Sequence, residues 1–453
     1  MSKQNQAADL GTGSIPKLMF KMAVPAVVAQ VVNLLYNIVD RIYIGQGVGA
    51  LALTGVGLCM PLMMFMNAFA MLAGSGGAPR AAIAMGRGDR NEASKIMSNS
   101  FSLLLIFAVG ITTLYLIFAE PLLMMFGASA DTLPYAMDYV GIISWGSVFT
   151  LLVMGLNPFL TAQGLSTVAM MTTVIGAVIN IVLDPIFIFG LGMGVKGAAL
   201  ATVMSQAVGA LWVTYTLSRS QKSVLKITPA GMKLEGKIVA GTLALGVSGF
   251  VMVATESLLS ISFNSSLQRY GGDLAVGSMT ILTSCIQLAQ MPASGIAQGC
   301  APITSFNFGA GKHDRVKKCF YLQLAVAAGY TILFWIAAML VPQVFVQIFN
   351  KDAALVEHTV WAMRIYMAGV FSLGFQLTCQ QSFVALGQAK VSLFMACLRK
   401  LILLIPLIFI LPMFFENKVF AVFLAEPISD IIAALATTGT FFARFDKILK
   451  GEN

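Results

Sequence analysis

The sequence predicts an all-α membrane protein: twelve transmembrane helices in two six-helix bundles, related by a pseudo-two-fold axis along the membrane normal. Three observations carry this expectation: the composition, the length of the apolar runs, and an internal echo. Of 453 residues, 58% are hydrophobic and only 10% charged, against roughly 25% charged in an ordinary soluble domain. Such a chain lacks the polar surface to face water. Its apolar runs reach the ~20 residues needed to cross a ~30 Å hydrocarbon core. They are continuous, which reads as helix; the strands of a membrane β-barrel would alternate.

Taken in order, the candidate spans are 16–44, 51–74, 97–119, 135–157, 164–190, 195–218, 237–265, 275–300, 318–345, 358–386, 391–414 and 418–441. The first carries Pro25 and the seventh Gly246 and Gly249, where a kink or tilt takes up the excess length. Basic residues gather in alternate connections. Arg80, Arg87, Arg90 and Lys95 follow the second span; Arg219, Lys222, Lys226, Lys233 and Lys237 the sixth; Lys312, Arg315, Lys317 and Lys318 the eighth. The ends add Lys3, Lys17 and Lys21, then Arg444, Lys447 and Lys450, while the opposite connections hold only Lys196, Arg269, Lys351, Arg364 and Lys418. This asymmetry predicts a multi-pass plasma-membrane protein with both termini cytoplasmic. The net charge of +9 is then topological, and no nucleic-acid partner is expected. The polar first fifteen residues lack the order of a cleaved signal peptide. Six cysteines without C-x-x-C spacing read as packing residues, not as a disulfide or metal framework.

The second half echoes the first at a constant offset. Leu51-Ala52 recurs as Leu274-Ala275, Ala78-Pro79 as Ala301-Pro302, Gly86-x-Gly88 as Gly309-x-Gly311, and Gly164 as Gly387. Both glycine pairs are followed by Asp-Arg, at Asp89-Arg90 and Asp314-Arg315. The expected organisation is an N-terminal lobe 1–222, a cytoplasmic linker 223–236 and a C-terminal lobe 237–453. Parallel repeats of this kind are a transporter architecture, with cargo handled between the lobes.

An ionisable group inside a span costs at least ~2.5–3.5 kcal/mol on insertion scales, so it usually faces an interior cavity and marks a pathway. In the first span Gln30, Asn33, Asn37 and Asp40 recur at helical steps on one face; amides in such a stripe also serve as interhelical glue. In the fifth span Asn180 and Asp184 lie four apart. With the termini inside, both aspartates fall late in outward-running helices, and Thr202, early in the returning sixth span, reaches a similar depth. Two carboxylates, an amide oxygen and a hydroxyl at one level offer hard oxygen ligands for Na⁺, or a carboxyl pair that carries a proton. The bland alternative pairs Asp40 with Arg41 at the interface and leaves Asp184 a helix-end acid.

The run PAVVAQVVNLLYNIVDRIYIG resembles the first helix of the multidrug and toxic compound extrusion (MATE) family. NPFLTAQG and NIVLDPIFIFGLGMGVKGAALAT resemble that family's fourth-to-sixth-helix region, and GAPRAAIAMGRGD its loop after helix two. The resemblance covers essentially the whole chain and is greatest to the bacterial drug-efflux branches. It implies an antiporter that expels cationic drugs or dyes in exchange for Na⁺ or H⁺, without a cofactor. It also implies a cation site at Asp40, Asn180, Asp184 and Thr202, the four that depth and spacing select.

The second half is less uniform. Glu256, in FVMVATESLLSISFNSSL, is a lone acid deep in the seventh span, where related transporters carry a functional acid; Ser260 and Asn264 continue its face. Coupling or substrate binding is its expected role, against a protonated acid hydrogen-bonded across helices. Where some relatives have an acid in helix ten, this chain reads SLGFQLTCQQSF. Glu426 and Asp430, four apart in the twelfth span, line the cavity or approach an interface, and Arg399-Lys400 reads as a snorkelling or lumen-facing pair without an assigned role. Cavity-lining candidates are Gln30, Asn33, Tyr36, Asn37, Met63, Met64, Asn157, Gln287, Gln376 and Gln380. Methionines suit a promiscuous cavity and ordinary packing alike.

The rival from another class is a flippase for a lipid-linked precursor, which calls for a strongly cationic central cavity. A channel would not need asymmetric acids in a repeated frame. An enzyme finds no support: His313 and His358 lack ligand spacing, and no nucleophile–base pair is evident. Gly86-x-Gly88 lacks the strand and G-K-[ST] of a phosphate loop, so no nucleotide partner is expected and an ion gradient must supply the energy.

Overall fold

In the computed structural model, residues 5–349 and 352–451 are described; Lys3 and Lys351, two of the charges counted above, lie outside them. Eleven helices among the described residues are long and apolar enough to cross a membrane. One of these, Gly236–Gly309, is two spans joined end to end. Its break is Gly272, at φ 63° and ψ −160°, a backbone orientation that is strained for any residue with a Cβ. The spans are therefore twelve: α1 (Ile15–Gly47), α2 (Leu51–Gly86), α3 (Arg90–Met125), α4 (Leu133–Ala162), α5 (Ser166–Gly190), α6 (Val195–Ser218), α7 (236–271), α8 (273–309), α9 (His313–Leu340), α10 (Ala353–Ala385), α11 (Ala389–Met413) and α12 (Lys418–Lys450).

Several helices outrun the apolar stretches that predict them. α3 begins at Arg90 because the Asp89 carboxylate caps it, accepting from the Glu92 N–H at 2.8 Å. Arg80, expected in a connection, lies within α2 instead. Its guanidinium donates to the Ile238 carbonyl (2.7 Å) and Thr242 Oγ1 (3.1 Å), pinning α2 to α7.

Both chain ends share one side. Lys312 Nζ donates to Gly11 O (2.7 Å), Arg315 to Gly13 O (2.7 Å), and Lys317 pairs with Asp446 (2.7 Å). On that side the two bundles meet almost backbone to backbone. A Cβ on Gly86 would run into the Phe306 carbonyl, and one on Gly309 into the Ile83 carbonyl. Gly86 and Gly309 are partners in the sequence echo, so this contact is two-fold symmetric. One level deeper Gly76 and Gly246 bring α2 against α7, and Gly299 with Ala23 bring α8 against α1. Buried apolar side chains form a main cluster in each bundle, one running from Ile44 to Ile238 and another from Leu259 to Ala425, and a smaller cluster joins Met22 and Ala23 of α1 to Cys300 and Ile303 of α8.

Away from the termini the bundles part. Glu256, Ser260 and Asn264 form an exposed stripe on α7, and Thr280, Thr283 and Gln287 another on α8. Polar stripes at this depth face water rather than lipid, so a cleft opens on the side opposite the chain ends.

Candidate functional site

Asp40 and Arg41 diverge. Asp40 turns into the first bundle and is buried, while Arg41 is exposed and reaches Met60 Sδ at 3.6 Å. One turn of α5 stacks Asn180 above Asp184, which is fully buried, and Thr202 comes in from α6. Asn180 Nδ2 donates to Asp184 Oδ1 and Thr202 Oγ1, each at 3.4 Å. The Asp40 and Asp184 carboxyl groups lie within hydrogen-bonding range of each other. No donor reaches Asp40 Oδ1, Asn180 Oδ1 or Asp184 Oδ2.

Facing carboxyls with unserved buried oxygens need positive charge between them, because buried like charges cannot both stay ionised at ordinary pH. The donors are all hard oxygens, suited to an alkali ion or a shared proton. Among the described residues no three His, Cys, Asp or Glu side chains converge to hold a metal. Pro185, directly after Asp184, has no N–H to continue the helix, and Ile186–Gly190 widens into a π-helical turn. Such turns concentrate at functional sites.

Tyr139 on α4 joins this group and was not singled out from the sequence. It is buried and lies close to Asp40 and Thr202. Nothing in DYVGIISW marks it, since a tyrosine there packs as well as it bonds.

The cavity candidates divide. Asn33 and Tyr36 line a small cavity with Thr172, Gly176 and Ala177, and Met63 lines another with Cys59 and Tyr139. Met64 Sδ accepts from Ser257 across the two bundles (3.5 Å). Gln287 faces the cleft, Gln30 is half-buried, and Asn157 Oδ1 and Gln376 Oε1 are buried without a donor. Asn37 back-bonds to Asn33 O (2.6 Å), and Gln380 ties α10 to α11 through Ser392 O (2.8 Å) and Oγ (3.1 Å).

In the second bundle Arg399 and Lys400 do not snorkel. They are 8% and 6% exposed and sit in a π-helical stretch of α11, Leu398–Leu404. Arg399 pairs with Asp430 Oδ1 (2.7 Å) and Glu426 Oε1 (3.3 Å). Lys400 donates to Met252 O (2.6 Å) and pairs with Glu256. Glu426 and Asp430 are thus internal, while the Glu256 side chain is 52% exposed toward the cleft.

The two bundles are chemically unlike at equivalent places. The echo that relates Gly86 to Gly309 relates Asp40, Asn180, Asp184 and Thr202 to Phe263, Leu403, Leu407 and Ala425. It relates Glu256, Arg399 and Lys400 to Asn33, Gly176 and Ala177, lining residues of the small cavity in the first bundle.

The MatE family model matches the chain over two stretches, residues 25–186 and 250–410, one in each half. The chain belongs to the MatE family. A MatE protein is a transporter rather than an enzyme, and this one is a multi-pass membrane protein. It is 25% identical over 433 residues to the multidrug export protein MepA of Staphylococcus haemolyticus (strain JCSC1435), covering 95% of each chain. It is also 25% identical to MepA of Staphylococcus aureus (strain N315), covering 92% of each. The fold is similar to that of a MATE protein crystallised in the bent conformation (TM-score 0.93, 24% identity, 99% of each chain). An outward-facing MATE family transporter of the MOP superfamily matches at TM-score 0.91 and 24% identity, over 99% of this chain and 100% of that one. These structures set the MatE fold of this chain as twelve helices in two bundles.

Proposed function

We propose that the chain is a secondary-active multidrug exporter that exchanges lipophilic organic cations for Na⁺ or H⁺ by alternating access. The observation that carries the reading is the buried Asp40–Asp184 pair with its unserved oxygens. The names of the Staphylococcus relatives support drugs as cargo. The lobes are 1–222 and 237–453 with linker 223–236, in the plasma membrane, and both termini face the cytoplasm. Lys95, Lys233 and Arg315 on the terminal side favour that orientation. The flippase reading is not favoured, because the buried cations of the second bundle are already matched by carboxylates.

Under this reading the glycine seam is the closed cytoplasmic gate, and the cleft faces outward. A cation entering from outside lies between Asp40 and Asp184 and cancels their repulsion, drawing α1 toward α5. Pro25 leaves the Lys21 carbonyl without its helical donor, and it lies between Ala23 and Val27, the residues on which Gly299 and Gly295 of α8 rest. Bending at Pro25 therefore loosens α1 from α8 and couples ion binding to the gate.

Uptake of ethidium into inverted vesicles, with a Na⁺ gradient and a pH gradient imposed separately, tests the reading. One of the two gradients drives uptake if the chain is an antiporter; uptake under neither contradicts it.

A further inference from the structure

Five charged side chains of the second bundle form one cluster, and their charges do not balance. Two cations, Arg399 and Lys400, meet three carboxylates, Glu256, Glu426 and Asp430. Tyr366 on α10 is buried beside them and senses this field. Four of the five are buried and Glu256 is half-exposed, and a cluster with one carboxylate in excess favours taking up one positive charge.

The geometry shows where that charge would enter. Arg399 spends both its contacts with Asp430 on Oδ1, so Asp430 Oδ2 is buried without any donor. Lys400 pairs with Glu256 and also lies within the electrostatic reach of Glu426. Glu256 alone is open to the cleft, on the same stripe as Ser260 and Asn264. Lys400 occupies the place equivalent to Ala177, where the first bundle has cavity wall.

We propose that Lys400 is a tethered counter-ion that holds the substrate carboxylate Glu256 until a cationic substrate displaces it. In the unloaded state its ammonium pairs with Glu256. When an organic monocation arrives from the cleft, the Lys400 ammonium swings to the Glu426–Asp430 side and meets the unserved Asp430 oxygen. Arg399 and Lys400 then balance Glu426 and Asp430, and Glu256 is left with a single negative charge for the substrate. The site thus accepts one positive charge and disfavours a dication, whose second charge would find no free carboxylate. This rests on the cationic cargo of the proposed function and adds to it the residue that sets substrate charge.

The test is binding of ethidium, a monocation, and propidium, its dicationic relative, to the purified full-length chain in nanodiscs, followed by fluorescence anisotropy. The variants are Lys400→Gln, Lys400→Arg, Glu256→Gln and the double variant Lys400→Gln/Glu256→Gln, each required to elute as a single species. Lys400→Gln removes the competitor and is expected to bind ethidium about tenfold tighter, the factor for one lost interaction of ~1.4 kcal/mol, and to gain still more for propidium. Lys400→Arg keeps the charge and stays within about twofold of wild type, which separates charge from packing. Glu256→Gln loses about tenfold or more, and the double variant shows no gain over it. Unchanged affinities in Lys400→Gln overturn the proposal, as does a Lys400→Gln gain that persists without Glu256. Failure of wild-type vesicles to move any organic cation is a different result: it overturns the cationic cargo itself.

Discussion

The Asp40 carboxyl group, on α1, faces that of Asp184, on α5, at hydrogen-bonding range inside the first bundle. Neither is paired with a cationic side chain among the described residues, and each keeps one oxygen without a donor. A cation that binds there stabilises the folded chain by mass action, about 2.7 kcal/mol at a hundredfold excess over Kd. The thermal midpoint of wild type should therefore rise on adding Na⁺, or on lowering pH if the cation is a proton. Asp40→Asn and Asp184→Asn should unfold at a temperature that neither ion changes. A midpoint that still tracks the ion in both variants would place the cation elsewhere.

The Arg399 guanidinium separates Glu426 from Asp430. Removing it alone leaves two buried acids facing each other, and loss of one partner of a buried pair costs about 3–5 kcal/mol. Arg399→Met should lower the thermal midpoint sharply. The triple variant Arg399→Met/Glu426→Gln/Asp430→Asn should recover most of the loss, since a neutral set has no stranded charge. Equal destabilisation of both would show that shape, not charge, governs the cluster.

Gly246 rests on the Leu72 carbonyl with no space for a methyl group. Overpacking of this kind costs about 1–3 kcal/mol, and here only the closed seam bears the strain. Gly246→Ala should favour the state open toward the termini. A cysteine placed at Ser75, half-buried beside Gly249 on the seam, should react faster with a thiol reagent added from the terminal side. An unchanged labelling rate would mean that the seam does not part.

Arg80 pins α2 to α7 through Ile238 O and Thr242 Oγ1. Hydrogen bonds to a charged group contribute about 1.5–3 kcal/mol, so Arg80→Ala should lower stability by that order while leaving ethidium affinity unchanged. A selective loss of binding would give Arg80 a place in the substrate path that its contacts do not suggest.

Much of the fold was legible in the sequence because the bilayer imposes a length rule that a single chain must obey. The echo of Gly86 at Gly309 marked the two-fold contact itself. The four oxygen donors were legible through spacing, since an i,i+4 pair on α5 shares a face and carboxylates within spans are rare. Arg80 was misplaced because polar helix ends continue past the apolar run. Tyr139 was hidden because one tyrosine in an apolar helix carries no periodic signal. The roles of Arg399 and Lys400 were unreadable for another reason: their partners lie on α7 and α12, and only tertiary packing decides whether a cation snorkels or meets an acid.

The most direct measurement is ethidium transport in inverted vesicles carrying Asp40→Asn or Asp184→Asn, under whichever gradient drives the wild type. A fall of about tenfold or more in each variant, the equivalent of ~1.4 kcal/mol or more, with normal amounts of protein in the membrane, is the expected result. Transport at the wild-type rate in both variants would contradict a coupling site at this pair.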